Sequence, residues 1–314
     1  MADIQIIERQ PEALQVPQGL ADMVEAFLRD QDVRENSRSL YRRTLRRFFC
    51  WVEEAGLPFS GLAREHVLRY KEHLLSSGMS SLTTSSYLTV VRKFFTWTEA
   101  NKIYPNIAKS VKSPARKQQF KKQSLTPEQS RSLLSHAEGS TLRDFAIVNL
   151  LLRTGLRTIE AVRANVEDVT TKQGKRVLLV HGKGRDEKDD FVILTEKAYR
   201  PLAQYLATRG KVRSGEPLFT GDSNNGRGER LTTRTVSKVA KEAMKAIGLD
   251  GREYTAHSLR HTTAATILRN GGQLTDAQNV LRHSNPSTTQ IYLSAIKEEL
   301  RIQSAPEELL DEVF

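Results

Sequence analysis

Tyr292 closes the run Leu281-Arg282-His283-Ser284-Asn285-Pro286-Ser287-Thr288-Thr289-Gln290-Ile291-Tyr292 near the C-terminus. Upstream lie His257-Ser258-Leu259-Arg260-His261, Gly182-Lys183-Gly184 and Thr154-Gly155-Leu156-Arg157. These residue types suit attack on a phosphodiester. Attack at phosphorus builds negative charge on the nonbridging oxygens, which two arginines can hold through charge-assisted, bidentate hydrogen bonds. Preorganised donors of this kind often supply the largest share of a rate enhancement. The leaving 5′ oxygen needs a proton, and a lysine or an imidazole can give it. A tyrosine, with a reference pKa of about 10, must lose its proton as it attacks, and neighbouring cations and an imidazole assist that. Arg157, Lys183, His257, Arg260, His283 and Tyr292 cover these tasks with no metal and no cofactor. Each also has an ordinary reading: Arg157 as a helix-start residue, Lys183 as a turn lysine, His257 and Arg260 as a structural pair at i, i+3. His283 could close a helix end, and Tyr292 could be a core aromatic. Their joint order and spacing favour the chemistry.

The surrounding pattern is mainly helical. Residues 1–17, with Pro11 and Pro17, read as a loose arm. Over 18–111 apolar residues recur every three to four positions (Leu20, Met23, Val24, Phe27, Leu28; then Leu40, Leu45, Phe48, Phe49, Val52), which predicts a four-helix unit. Ser37 or Ser39 is the candidate N-cap of the second helix; the third covers 64–75 and the fourth 82–100. The aromatics Phe48, Phe49, Trp51, Phe94, Phe95 and Trp97 read as core rather than base-stacking platforms, because their spacing is helical. Arg38, Arg42, Arg43, Arg46, Arg47, Arg92 and Lys93 form a basic face with few acidic residues nearby. A phosphate backbone is therefore a real rival to a merely solvated face. Residues 112–124 hold a basic stretch, including Lys117, Lys121 and Lys122, around Pro114 and read as a linker. Thr126, with Pro127 behind it, is a helix start and opens a second domain over 125–295. There an apolar helix from Leu142 ends at Gly155. Two strands, 176–180 and 191–194, flank the turn at Gly182-Lys183-Gly184, and helices follow at 195–209, 232–247, 257–270 and 273–282. The stretch 296–314 mixes apolar residues with Glu298, Glu299, Glu307, Glu308, Asp311 and Glu312, which suits docking on its own domain or on another protomer.

Composition narrows the class. The 314 residues suffice for two domains, with 38% hydrophobic residues and a mean hydropathy of −0.48. No apolar run approaches membrane-span length and the start lacks a signal-peptide pattern, so the cytoplasm is the expected compartment. Cys50 is the sole cysteine, which excludes an intrachain disulfide, and there is no zinc-site spacing. A net charge of +11 and a pI of 9.7 favour a polyanionic partner, nucleic acid ahead of a membrane.

Taken together, the motifs resemble the tyrosine recombinase, or phage integrase, family over residues 125–293. The likeness rests on Thr154-Gly155-Leu156-Arg157 with Glu160, Gly182-Lys183-Gly184 in a hairpin, His257-x-Leu259-Arg260-His261, and Leu281-x-His283 with Tyr292 nine residues on. The resemblance implies a mixed α+β catalytic domain with a small antiparallel sheet, behind a SAM-like helical domain that binds the core site. It implies that Arg157 and Arg260 clamp the scissile phosphate and that Lys183 is the general acid. His257 would assist proton transfer, His283 would hydrogen-bond the phosphate, and Tyr292 would form a 3′-phosphotyrosyl link. Four protomers would exchange strands between two duplex sites through a Holliday junction, with neither ATP nor metal. A partner recombinase or an accessory DNA-bending protein could join them. Alternatives are a type IB topoisomerase-like nicking-closing enzyme and a catalytically silent DNA-binding relative. The two-domain layout is similar to Xer-type chromosome dimer resolvases and to small mobile-element integrases. The chain departs from the family pattern at Arg282, where many members carry glycine, at Ser294, where a histidine often stands, and in the acidic residues Asp186, Glu187, Asp189 and Asp190 beside Lys183. At Arg282 the expectation is an altered helix end or an added phosphate contact.

Overall fold

The computed structural model describes residues 18–115, 123–181, 188–222 and 227–283, together with 285, 296, 301, 302 and 311. Lys183, Tyr292, Lys117, Lys121 and Lys122 lie outside the described residues, as do the arm 1–17 and most of 296–314. The chain divides between Gln118 and Gln119 into two compact units.

In the first unit four helices, α1 (Gln18–Asp30), α2 (Glu35–Glu54), α3 (Arg64–Ser76) and α4 (Ser81–Ala100), surround one core. Each is amphipathic and turns its apolar stripe inward. Phe27, Phe48, Tyr70, Phe94 and Phe95 are fully buried. Their rings meet edge to face, Phe48 with Tyr70 at 4.9 Å and Phe27 with Phe94 at 5.5 Å. Such pairs add about 0.5–1.5 kcal/mol each beyond area burial, so packing rather than base stacking accounts for these aromatics. The cap of α2 differs from expectation. Its N-cap is Arg34, and Ser37 and Ser39 sit inside the first turns.

The second unit builds on two central helices. α5 (Pro127–Glu138) leads in, and its N-cap Thr126 accepts the Gln129 N–H while Gln129 accepts the Thr126 N–H. α6 (Leu142–Thr154) buries Ala146 through Leu152 on every side, as a helix apolar all round must. The short α7 (Thr158–Arg163) follows, then a 3₁₀ turn at Val166–Asp168. A three-stranded antiparallel sheet comes next, ordered β1 (Val169–Lys172), β2 (Lys175–Val180), β3 (Asp190–Ile193), with Leu178 opposite both Val169 and Val192. α8 (Glu196–Thr208), α9 (Thr233–Ala246), α10 (Ala256–Arg269) and α11 (Leu274–Leu281) complete it. α10 is the second central helix and is buried from Ser258 to Ala265. It also fixes the entry of the chain: Thr262 Oγ1 accepts the Leu125 N–H at 2.9 Å and Arg269 donates to the Leu125 carbonyl at 3.1 Å. β1 and the 3₁₀ turn had no expectation attached to them, and α7 only the reading of Arg157 as a helix-start residue.

Candidate active site

Two left-handed turns and one buried arginine build the site. α6 ends at Gly155, whose φ is +62°. A Cβ there would lie 2.5 Å from Leu281 Cδ2 and 3.3 Å from Thr263 Cγ2, so both the backbone and the packing require glycine. α11 ends at Arg282, which also takes a left-handed conformation (φ 54°, ψ 50°). The His283 N–H bonds back to the Gln278 carbonyl at 3.1 Å and the Arg282 N–H to Asn279 at 3.1 Å, a Schellman-type closure that returns the chain inward. A side chain in this conformation costs roughly 1–2 kcal/mol. Between the two turns lies Arg260 on α10, 1% exposed. Its Nη1 donates to the Gly155 carbonyl and its Nη2 to the Leu281 carbonyl. One guanidinium thus ties the strand of chain entering Arg157 to the one entering His283.

Arg157 is the N-cap residue of α7, and its backbone N–H donates to Glu160 Oε2 at 2.7 Å while its Nη1 donates to Oε1 at 2.6 Å. Its side chain stays 24% exposed, whereas that of Glu160 is 4% exposed. The same Oε2 accepts from Arg282 Nη2 at 2.6 Å. Burial alone would raise the Glu160 carboxyl, but the Arg282 charge and the Arg157 backbone and guanidinium outweigh it and hold it below the usual carboxylate range. His283 is 8% exposed. Burial first, then the charges of Arg260, Arg157, His257 and Arg282, push its imidazole down to about 4. It is therefore neutral at pH 7 and can donate a hydrogen bond from one ring nitrogen. His257 is exposed at the start of α10, its ring edge-on to that of buried His261 at 4.7 Å. Arg157, His257, Arg260 and His283 thus converge. Lys183 and Tyr292 are the two members outside the described residues.

Glu160 entered the sequence motif without a role, and Arg282 only as an altered helix end or an added phosphate contact. The i, i+3 spacing of Glu160 from Arg157 was a signal; the bond between Glu160 and Arg282 left none, because the two lie 122 residues apart. The expected altered helix end is not found, since Arg282 keeps the left-handed turn. Nor does its side chain reach outward for phosphate: it is 5% exposed and bonds Glu160 and the Val280 carbonyl. Asp190, at the start of β3, stays 37% exposed with its carboxylate 4.0 Å from Arg282 Nε. Lys188 pairs with buried Asp168 at 2.5 Å. Among the described residues no group of three acidic, histidine or cysteine side chains is placed to hold a metal, and no helix is long and apolar enough to cross a membrane.

The basic face of the first unit is more committed than expected. Arg42 grips Glu25 through two bonds of 2.8 and 2.9 Å, because α1 lays that acid against α2 from 17 residues away. Arg92 holds the Val111 carbonyl and Ser113 Oγ, and Lys93 lies 5.5 Å above the Tyr41 ring. Arg43 and Arg46 remain exposed.

The comparisons with known proteins concern the family and the fold. Residues 123–299 match the profile of the Phage integrase family, and residues 24–102 match that of the Phage integrase, N-terminal SAM-like domain. Tyrosine recombinase XerD of Pseudomonas aeruginosa is 31% identical over 295 residues, covering 91% of this chain and 91% of that protein. Tyrosine recombinase XerC of Caldanaerobacter subterraneus subsp. tengcongensis is 37% identical over 181 residues, 56% of this chain and 48% of that protein, so the match spans about half of that relative. Among solved structures, XerH site-specific recombinase bound to palindromic difH substrate, in a post-cleavage complex, is similar with a TM-score of 0.72 at 19% identity, covering 92% of this chain and 84% of that one. A lambda integrase dimer bound to a COC′ core site gives a TM-score of 0.68 at 16% identity, covering 88% and 95%. At these identities the structural likeness is one of fold.

Proposed function

The chain belongs to the phage integrase family of tyrosine recombinases, and from that premise we propose that it is an Xer-type site-specific recombinase acting on duplex DNA. The observation that carries the reading is Arg260, whose two donors bring the turn before Arg157 and the turn before His283 together. A site built this way suits a pentavalent phosphorus. Arg157 and Arg260 hold the nonbridging oxygens, and neutral His283 adds a hydrogen bond. Tyr292 Oη attacks phosphorus and gives its proton to His257. The bond to the 5′ oxygen breaks, and that oxygen takes a proton from Lys183. The 3′-phosphotyrosyl ester keeps the bond energy, and a 5′ hydroxyl from a partner duplex reverses the step on the new strand. Two such rounds in a four-protomer assembly pass through a Holliday junction. Residues 18–111 would grip the core site, with Arg43, Arg46 and Lys93 toward phosphate. Residues 125–295 would carry the chemistry, and 296–314 would dock on a neighbouring protomer. Similarity to XerD along most of both chains supports chromosome dimer resolution as the biological role.

The test uses a duplex carrying the site recovered by selecting randomised duplexes for binding to the full chain, nicked so that cleavage traps the protein. The wild-type chain is expected to form a covalent adduct in EDTA, and Tyr292→Phe to form none. An adduct with Tyr292→Phe would overturn the assignment of the nucleophile; cleavage only with added magnesium would overturn the metal-free mechanism.

A further inference from the structure

Arg282 carries an unusual combination. Among the described residues four non-glycines have positive φ: Lys102, Ser110, Gln173 and Arg282. The first three are exposed in turns; Arg282 alone turns a nearly buried side chain inward. A strained backbone persists only where surrounding contacts over-determine it. Here those contacts are the 2.6 Å bond from Nη2 to Glu160 Oε2, the 2.8 Å bond from Nη1 to the Val280 carbonyl, and Asp190 at 4.0 Å from Nε. Glu160 Oε2 is also the acceptor of the Arg157 backbone N–H, and Oε1 that of the Arg157 guanidinium.

We propose that Arg282 is a positioning residue: through the shared Glu160 carboxylate it sets the orientation of Arg157 toward the scissile phosphate. The inference rests on the recombinase reading above. The physical logic is a division of charge. With one cation, Glu160 would draw the Arg157 guanidinium fully onto itself. With Arg282 on Oε2, the carboxylate is shared, and Arg157 engages it through Nη1 and the backbone while its side chain stays 24% exposed. The same bond, between residues 122 apart, joins the N-terminus of α7 to the C-terminus of α11 and so keeps Arg157 and His283 in register. Glycine, the usual occupant of such a turn, would relieve the backbone and lose this control.

The experiment compares wild type, Arg282→Gly, Arg282→Lys, Glu160→Gln and the Arg282→Gly/Glu160→Gln double variant, all as full-length chains on the nicked, selected duplex. Read out are the single-turnover adduct rate at saturating protein, the Kd for the duplex, and the Tm. Arg282→Gly is expected to cleave about 10–30-fold more slowly, with Kd within twofold and Tm unchanged or higher. Arg282→Lys is expected to recover part of the rate. The double variant should be no slower than the worse single one, because both act on one link. An unchanged or faster rate for Arg282→Gly would overturn the proposal, and so would additive losses in the double variant. A loss confined to Kd would make Arg282 a DNA contact instead, which also overturns it. If the wild-type chain forms no adduct, the recombinase reading fails rather than this inference.

Discussion

His283 ties the stability of the fold to pH. Its folded pKa of about 4 lies below the ordinary histidine value of 6.5, so between those values the unfolded chain binds a proton that the folded chain refuses. Stability is therefore fully present above about pH 6.5 and falls as pH drops toward 4. The expected loss between pH 7 and 4.5 is on the order of 2–3 kcal/mol from this group. Glu160 acts in the same direction in a lower window, since its depressed carboxyl supports the fold above its unfolded value of 4.5 and is protonated only below it. Urea unfolding of the full chain from pH 7 to 4.5 should show the slope, and His283→Gln should flatten it. A slope that survives His283→Gln intact would place the proton uptake elsewhere.

At the scale of elements, the site depends on where helices stop. Gly155→Ala forces a Cβ into a left-handed turn and against Leu281 and Thr263. The backbone penalty and the overpacking together should cost about 2–4 kcal/mol, measured as a lower urea midpoint at unchanged m-value. A loss under about 1 kcal/mol would mean that Leu281 yields freely. The long helices were legible because each keeps a 3.6-residue apolar rhythm over three or more turns, and the caps Thr126 and Gly155 carry local chemistry that sequence displays. β1 was not legible: its four residues, Val-Thr-Thr-Lys, are mostly exposed, and only pairing with β2 makes them a strand. α7 has six residues, too few for a periodic signal. The start of α2 was misplaced because serines that favour caps in isolation are overruled once the helix begins at Glu35. The four described site residues were readable as types and order. The Arg282–Glu160 bond was not, because a long-range ion pair leaves no local trace, and neither did the Arg42–Glu25 pair.

For the whole molecule, the cores differ in kind: aromatic rings packed edge to face in the first unit, mostly aliphatic side chains in the second, around α6 and between α10 and α11. Arg260 and Arg282 apart, most cations stay outside these cores, and the chain carries +11 overall. Binding to duplex DNA through several phosphates should then be steeply salt-dependent. For about 6–10 phosphate contacts, affinity falls roughly 10³–10⁵-fold between about 50 and 200 mM salt. Fluorescence anisotropy with the selected duplex checks this; a fall under about tenfold would contradict a phosphate-dominated interface. Because both the N–H and the carbonyl of Leu125 are held by α10, that residue works as an anchor point. Tension arriving along the chain from residue 123 is delivered to the helix that carries His257 and Arg260 before it reaches α5. A mechanical pull at residue 123 is therefore a pull on the helix that holds the Gly155 and Leu281 carbonyls together.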